Sequence, residues 1–161
     1  MNRLNLESGP FAARSAIAII VASAALASGC AALLGRSTSP AALQNTVWQW
    51  QETFAQEQTF RVETPERYTI NFDPSLRAAV RFDCNRGGGT YKIDGDTLTI
   101  SGFATTRMAC PAGSVAPRFA DELLHTRSFY VNDDGLYLVL ADDAGTMHFT
   151  RAKPRLVRES P

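Results

Sequence analysis

Alternation of apolar and polar residues constrains the fold of this chain more than any other feature of its sequence. Apolar residues recur at every second position, as they do along a β-strand with one buried face. The alternating runs lie at residues 68–72, 78–84, 91–93, 98–100, 136–140 and 147–149. In the second run, Cys84 continues the series set by Val80 and Phe82, so we expect the Cys84 side chain to face the core.

Short turn sequences separate these runs. Asp-Gly-Asp stands at residues 94–96, Asn-Asp-Asp-Gly at 132–135 and Asp-Asp-Ala-Gly at 142–145. Glycine, asparagine and aspartate tolerate the left-handed backbone conformations that tight hairpins need. Strands of period two joined by such turns predict an antiparallel β-sheet of about eight strands, curled into a barrel or half-barrel.

Residues 114–126 break the period of two. Apolar side chains fall at Val115, Phe119 and Leu123, which is the spacing of one face of an α-helix. The serine that opens this segment is a candidate N-cap, and Pro117 falls in the first turn, where proline is tolerated. We therefore predict an α+β domain in which one α-helix packs across the open face of the curled antiparallel sheet.

Composition and charge indicate one folded domain without the features of a nucleic-acid-binding protein. Removing the first 29 of 161 residues leaves 132, with a net charge of about −1, whereas binding to nucleic acid calls for a strongly basic face. Aromatic and aliphatic residues are plentiful enough that we expect no disorder between residues 45 and 152. Trp48 and Trp50 alternate on one strand and therefore share one face of it. That face is either part of the core or an exposed recognition patch, and we expect at least one of the two tryptophans to lie in the core.

The N-terminal segment has the pattern of a bacterial export signal. No charged side chain occurs between Arg14 and Arg36, and residues 16–27 are nearly all apolar. Small residues precede Cys30, and a signal that ends just before a cysteine resembles a lipoprotein signal, in which that cysteine is lipidated and becomes the first residue after cleavage. The alternative is an uncleaved anchor, because the uncharged stretch 15–35 is 21 residues long and could span a bilayer of about 30 Å.

This interpretation divides the chain into four parts. Residues 1–29 are the signal peptide, and residues 30–44 are a tether of small, polar and proline residues. Residues 45–152 are the folded domain, and residues 153–161 are a flexible tail. Both interpretations of the N-terminal segment place the domain outside the cytoplasm.

Cys84 and Cys110 remain as an even pair once Cys30 is assigned to lipidation. In an oxidising compartment we expect them to form a structural disulfide. The bond would close a loop of 27 residues and contribute about 3.5 kcal/mol in the chain-entropy description. Two free thiols and a redox or metal-binding pair stay open as alternatives, although redox pairs usually stand close together as Cys-x-x-Cys.

Two segments carry a resemblance to a known family. Residues 82–91 (Phe-Asp-Cys-Asn-Arg-Gly-Gly-Gly-Thr-Tyr) with 95–100, and residues 104–111 (Ala-Thr-Thr-Arg-Met-Ala-Cys-Pro), resemble the central motifs of the META domain (HslJ-like) family. The resemblance extends over about residues 45–150. It implies a small envelope protein, often a lipoprotein, linked to heat shock or antibiotic tolerance and without established enzymatic activity.

The motif residues are candidates for a structural or binding role: Asn85, Gly88, Gly89, Thr106, Arg107 and Met108. The glycines at 87–89 lead into a strand, so a bulge or a turn with positive φ is favoured over a phosphate-binding loop, which leads into a helix. The Asn85 amide can bond neighbouring backbone and hold the turn. Arg107 could bind an anionic group or pair with Asp83, and we favour the pairing.

No residue pattern predicts catalysis or a metal site. The paired aspartates at 94 and 96, 133 and 134, and 142 and 143 lack the spaced ligands and terminal glutamate of a calcium loop, so we interpret them as turn residues. His125 and His148 stand apart from other candidate zinc ligands, and no serine lies in a Gly-x-Ser-x-Gly elbow. We predict no catalytic residue, no metal and no cofactor.

The function predicted from the sequence is that of a non-enzymatic, membrane-tethered lipoprotein of the bacterial envelope, which binds or supports another envelope protein, including under stress. Ala31 follows Cys30, and lack of aspartate there favours the outer membrane facing the periplasm. An inhibitor or small-ligand-binding β-barrel is the alternative, and a thiol oxidoreductase using Cys84 and Cys110 ranks last. A deep apolar cavity would favour a ligand, and a filled core would favour a protein partner.

Overall fold

A computed structural model describes residues 35–153 of the chain. The expected signal peptide, the predicted lipidation site Cys30 and the predicted tail beyond Lys153 lie outside the described residues. Among the residues that are described, no helix is long and apolar enough to cross a membrane.

Nine strands make up the sheet in the described part of the chain, and every pair of neighbours is antiparallel. They are β1 (Val47–Ala55), β2 (Gln58–Arg61), β3 (Tyr68–Phe72), β4 (Arg77–Phe82), β5 (Asn85–Asp94), β6 (Thr97–Thr105), β7 (Thr126–Val131), β8 (Leu136–Leu140) and β9 (Thr146–Arg151). Helix α1 is Pro40–Leu43 and helix α2 is Ala116–Leu124, and short 3-10 turns cover Pro65–Arg67 and Ala141–Asp143.

Strand β1 closes the sheet into a barrel. One edge of β1 pairs with β9, from Trp48 opposite Arg151 to Phe54 opposite Thr146. The other edge pairs with β3 near the start of β1 and with β2 near its end. Between residues 35 and 153 the ring thus has eight strands, and β2 is an additional strand bonded to β1 alone. The predicted curled antiparallel sheet with one packed helix is confirmed.

The barrel interior is filled with side chains. Burial alternates along β3, β4 and β8 as the sequence pattern predicts, and both tryptophans lie in the core. The largest side chains that are fully buried are Trp48, Trp50, Phe72, Phe119, Phe129, Phe149, Leu43, Ile70, Leu98, Ile100, Leu123 and Leu136. Burial of this apolar surface, at about 25 cal/mol per Å², is the main stabilising contribution to such a fold.

Helix α2 closes one end of the barrel through Phe119. The ring centroid of Phe119 lies 5.0 Å from that of Trp50, 5.8 Å from Tyr68, 5.7 Å from Phe82 and 6.2 Å from Phe149. These four partners come from β1, β3, β4 and β9, so Phe119 enters the barrel rather than lying on its outside.

The helix is shorter than the predicted segment 114–126. Val115 precedes it, His125 ends it and Thr126 already belongs to β7. The N-cap residue is Val115, so the predicted N-cap Ser114 lies one residue too early in the chain. The Ser114 Oγ accepts a hydrogen bond at 3.4 Å from the N–H of Ala116, the first helical residue.

Residues 36–44 pack on the barrel, whereas the sequence predicted a tether over 30–44. Ser37 forms a β-bridge with Val131, and the Leu43 side chain is fully buried. The Leu43 carbonyl also accepts a hydrogen bond from Trp48 Nε1 at 2.9 Å. A segment of small and polar residues thus becomes part of the domain because one leucine fills a gap in the core.

Tyr91 connects this N-terminal segment to the β3–β4 turn. Its hydroxyl accepts a hydrogen bond from Gln44 Nε2 at 2.8 Å and donates one to the Asp73 carbonyl at 2.6 Å. Burial raises the pKa of Tyr91 above its usual value; the Gln44 hydrogen bond lowers it in part, and the Asp73 charge raises it further. The neutral hydroxyl is therefore the form that the folded chain favours.

Candidate functional site

The β4–β5 turn is the first part of the candidate site. Strand β4 ends at Phe82 and β5 begins at Asn85, so the turn consists of Asp83 and Cys84. Asp83 has a φ of +61°, a left-handed conformation that aspartate tolerates better than most residues. Cys84 is half-buried in this turn, and the expectation that it faces the core as part of β4 is wrong because the strand ends two residues earlier.

A disulfide joins this turn to the segment after β6. Cys84 and Cys110 are bonded, with their Cα atoms 5.5 Å apart, so the predicted pairing is present in the structure. Residues 106–111, which we call the 106–111 loop, are thereby fastened at their far end to the β4–β5 turn. The bond restricts the loop in the folded state and reduces the conformational entropy of the unfolded chain.

Asn85 holds the middle of the 106–111 loop. Its Oδ1 accepts hydrogen bonds from the Thr106 hydroxyl and the Met108 N–H, both at 2.8 Å. Its Nδ2 donates to the Met108 carbonyl at 3.0 Å. One amide side chain thus satisfies both backbone groups of Met108, which is the anchoring role that the sequence suggested for Asn85, now directed at the loop.

Thr106 extends the same connection back to β5. The Thr106 hydroxyl accepts a hydrogen bond from the Arg86 N–H at 3.1 Å, and the Thr106 N–H donates to the Arg86 carbonyl at 3.0 Å. The start of the 106–111 loop therefore continues the β5–β6 ladder for one more residue before the chain leaves the sheet.

The glycines of β5 allow β6 to approach closely. The β5–β6 register shifts between Gly88 and Thr90, so Gly89 lies in a β-bulge, as predicted, and no residue of 87–89 has positive φ. A Cβ atom at Gly87 would collide with the Ala104 carbonyl, and one at Gly89 would collide with the Ser101 carbonyl. The glycine run is thus explained by strand packing and is not an anion-binding loop.

Asp83 pairs with Arg67 and not with Arg107, so the favoured ion pair from the sequence is wrong. Asp83 is 2% exposed, and its Oδ1 contacts Arg67 Nη2. The Asp83 N–H also donates to the Arg67 carbonyl at 2.7 Å. The 3-10 turn that precedes β3 places Arg67 there, a position that only the folded topology reveals.

Arg107 and Met108 are instead displayed at the surface. Arg107 is exposed, and 59% of Met108 is accessible to solvent. Arg86 is also exposed, and within residues 35–153 neither arginine lies in an ion pair with a carboxylate. An open cleft of about 360 Å³ adjoins Met108, with Asn85, Met108 and Cys110 on one side and the start of α2 on the other. Two exposed arginines and an exposed methionine are therefore available to solvent in the two motif segments.

A second buried polar group lies under α2, and the sequence analysis did not identify it. Glu122 is 8% exposed, and its Oε2 accepts a hydrogen bond from the Thr53 hydroxyl at 2.6 Å. Its Oε1 accepts one from Arg118 Nε at 2.6 Å, and Trp50 Nε1 donates to the Thr53 hydroxyl at 3.0 Å. The spacing of Arg118 and Glu122, four residues apart, was a signal for the ion pair but not for its burial.

The other polar residues considered from the sequence lie apart from the motif. In the described range, no three His, Cys, Asp or Glu side chains converge as a metal site would require. The paired aspartates lie in or beside turns, and His125 ends α2 with its Nδ1 2.8 Å from the Asp121 carbonyl. The motif residues form a fixed scaffold from which the Arg107 and Met108 side chains extend into solvent, an arrangement that suits recognition of another molecule.

Comparison with solved structures supports the fold. A protein from Burkholderia xenovorans, solved by NMR, is 25% identical, with a TM-score of 0.58 over 71% of this chain and 89% of that one. A DUF4847 family protein from Bacteroides vulgatus is 13% identical, with a TM-score of 0.55 over 69% of this chain and 95% of that one. The latter likeness concerns the fold alone.

Comparison with protein families identifies the family of the chain. No curated protein matches it significantly. The META domain family model matches residues 41–154, which is most of the chain and includes the disulfide, Asn85 and the 106–111 loop. The chain therefore belongs to the META domain family.

Proposed function

We propose that this protein is a lipid-anchored component of the bacterial envelope whose META domain docks a protein partner through the 106–111 loop. Its role in this proposal is binding, without catalysis. The observation that carries the proposal is that the backbone of Met108 is anchored while 59% of the residue is exposed to solvent.

The anchoring part of the proposal rests on the sequence. The apolar segment 16–27, the small residues before Cys30 and the alanine after it favour a lipidated N-terminus in the outer membrane, facing the periplasm. Replacement Cys30→Ser should release the protein from membranes or leave an unprocessed precursor. Fractionation and migration identical to those of the wild type would show that the apolar segment itself is the anchor.

A protein partner is favoured over a small ligand because the barrel interior is occupied. Trp48, Trp50 and Phe119 are fully buried at positions where a ligand-binding barrel keeps space. Small-molecule sites are usually enclosed clefts of about 300–1,000 Å³. The 360 Å³ cleft beside Met108 is open to solvent and lies on the outside of the barrel.

The loop has the properties of a preformed docking element. The disulfide and Asn85 fix its backbone before binding, so little conformational entropy is lost when a partner arrives. Methionine and arginine are enriched at protein interfaces, methionine because its flexible thioether adapts to irregular surfaces. The basic side chains of Arg86 and Arg107 favour an acidic surface around an apolar contact point.

A photo-crosslinking amino acid at position 108 tests this proposal in living cells. We expect one dominant crosslinked protein from position 108 and none of the same mass from position 92, an exposed site on β5 that serves as the control. Equal crosslinking from both positions, or none from position 108, would contradict docking through the loop.

A further inference from the structure

Strand β2 leaves an unpaired edge outside the barrel. Val62 N–H donates to the Gln51 carbonyl at 2.8 Å, and the register runs from Glu52 opposite Arg61 to Ala55 opposite Gln58. Hydrogen-bonded and non-bonded pairs alternate in an antiparallel ladder, so the backbone groups of Thr59 and Arg61 point away from β1. Among residues 35–153, no strand pairs with that edge.

The edge is held in place before anything binds to it. The Phe60 ring lies 5.5 Å from the Trp50 ring, and the Arg118 guanidinium stacks over Phe60 at 3.9 Å. Glu122 in turn fixes Arg118 by the 2.6 Å hydrogen bond described above. The β1–β2 hairpin is thus fastened to α2, and the Thr59 and Arg61 backbone groups are presented in a fixed orientation.

Two small clefts flank Phe60 along this edge. One, of about 170 Å³, is lined by Thr53, Thr59, Phe60 and Arg118 among others. The second, of about 230 Å³, lies between residues 60–64 and Val115. An added strand presents every second side chain to the same face, about 7 Å apart, so successive apolar side chains could enter the two clefts.

The charges at the ends of β2 select the occupant. Glu57 precedes the strand and Glu63 follows it; both are exposed, and neither is in an ion pair with another described residue. The basic side chains nearby are already paired, Arg61 with Glu52 and Arg118 with Glu122. A second copy of this chain would bring its own glutamates to the same place, which like-charge repulsion disfavours.

We propose that the free edge of β2 accepts an extended segment of a partner protein as an additional strand, with apolar residues at alternate positions and a basic residue at each end. Backbone hydrogen bonds from Thr59 and Arg61 supply the affinity, and the two clefts and two glutamates supply the specificity. This surface is independent of the 106–111 loop proposal, because it uses a different strand and opposite charge.

The probe is a capped synthetic peptide, Lys-Val-Thr-Val-Thr-Val-Lys, added to the full chain. We expect amide hydrogen exchange at Thr59 and Arg61 to slow at least tenfold at saturation. In an added strand, the N–H groups of either the three valines or the two threonines are directed at β2. N-methylation of that set should abolish binding, and N-methylation of the other set should leave binding unchanged. Equal binding of both methylated forms, or no protection at Thr59 and Arg61, would overturn the proposal.

A matched pair of variants tests the protein side. Thr59→Pro removes the outward N–H without breaking a bond to β1 and should weaken peptide binding at least tenfold, whereas Thr59→Val should change it less than twofold. Equal affinity for Thr59→Pro and wild type would refute strand addition. Protection at Thr59 that rises with protein concentration in the absence of peptide would show a second copy on the edge, contrary to the proposal. The methylated peptides decide the question if Thr59→Pro does not fold.

Discussion

Replacement of Asn85 by alanine tests the scaffold of the motif most sharply. The substitution removes the hydrogen bonds of Asn85 with the Thr106 hydroxyl and with the N–H and carbonyl of Met108. It also removes two weaker hydrogen bonds from the Asn85 amide to the Sγ atoms of Cys84 and Cys110. A typical intramolecular hydrogen bond contributes about 0.5–1.5 kcal/mol net. The Met108 backbone can regain water because the loop is exposed, and Thr106 keeps its bond to Arg86. We therefore expect a loss of about 2 kcal/mol in the free energy of unfolding.

Thermal and urea denaturation should both detect this loss. For a domain of this size, 2 kcal/mol corresponds to a fall in melting temperature of roughly 8 °C. Arg107→Ala is the matched control from the same loop, since its exposed side chain forms no ion pair with a described residue, and we expect a change within about 0.5 kcal/mol. If Asn85→Ala unfolds within 0.5 kcal/mol of the wild type, the hydrogen bonds of Asn85 do not hold the loop.

Three further predictions concern the ion pair, the disulfide and the buried tyrosine. Arg67→Met should cost about 3 kcal/mol by leaving the buried Asp83 carboxylate unpaired, whereas Arg107→Met should cost almost nothing; equal urea midpoints would contradict the assigned pair. Replacing Cys84 and Cys110 together by alanine should cost about 3.5 kcal/mol, and reductant should lower the wild-type midpoint but leave that of the variant unchanged. Because burial raises the pKa of Tyr91, the folded chain keeps its proton to higher pH than the unfolded chain, so stability should fall as pH rises above about 10. Tyr91→Phe should flatten that decline, and an unchanged slope in urea titrations between pH 9 and 11 would contradict it.

The sequence predicted the barrel well where one face of a strand is buried throughout. Tyr68, Ile70 and Phe72 of β3 alternate strictly with partly exposed residues, and their period of two survives into the structure. Strand β7 was missed because its pairing with β8 shifts register between Thr126 and Ser128. The buried residues of β7 therefore do not follow a single period of two along the strand. Strand β2 was missed because Phe60 is its only apolar residue, and its pairing depends on β1.

The sequence identified the residues of the candidate site but not all of the side chains with which they pair. Cys84, Cys110 and Asn85 were identified from the motif, and the structure brings them together. The partner of Asp83 was not, because Arg67 reaches it only through the register of β3 and β4. The packing of residues 36–44 was hidden for a similar reason, since a single leucine in a polar segment carries no periodicity.

The central claim is that Asn85 and the disulfide hold the 106–111 loop, whereas Arg107 and Met108 recognise the partner. One double variant tests this division most directly. Arg107→Glu combined with Met108→Ser changes the two displayed side chains without touching a described hydrogen bond of either side chain. The claim predicts a melting temperature within about 2 °C of the wild type. It also predicts loss of the protein that crosslinks to position 108, measured from a probe at the neighbouring position 109 in both backgrounds. Retention of that crosslinked protein at wild-type yield, with the fold intact, would contradict the claim.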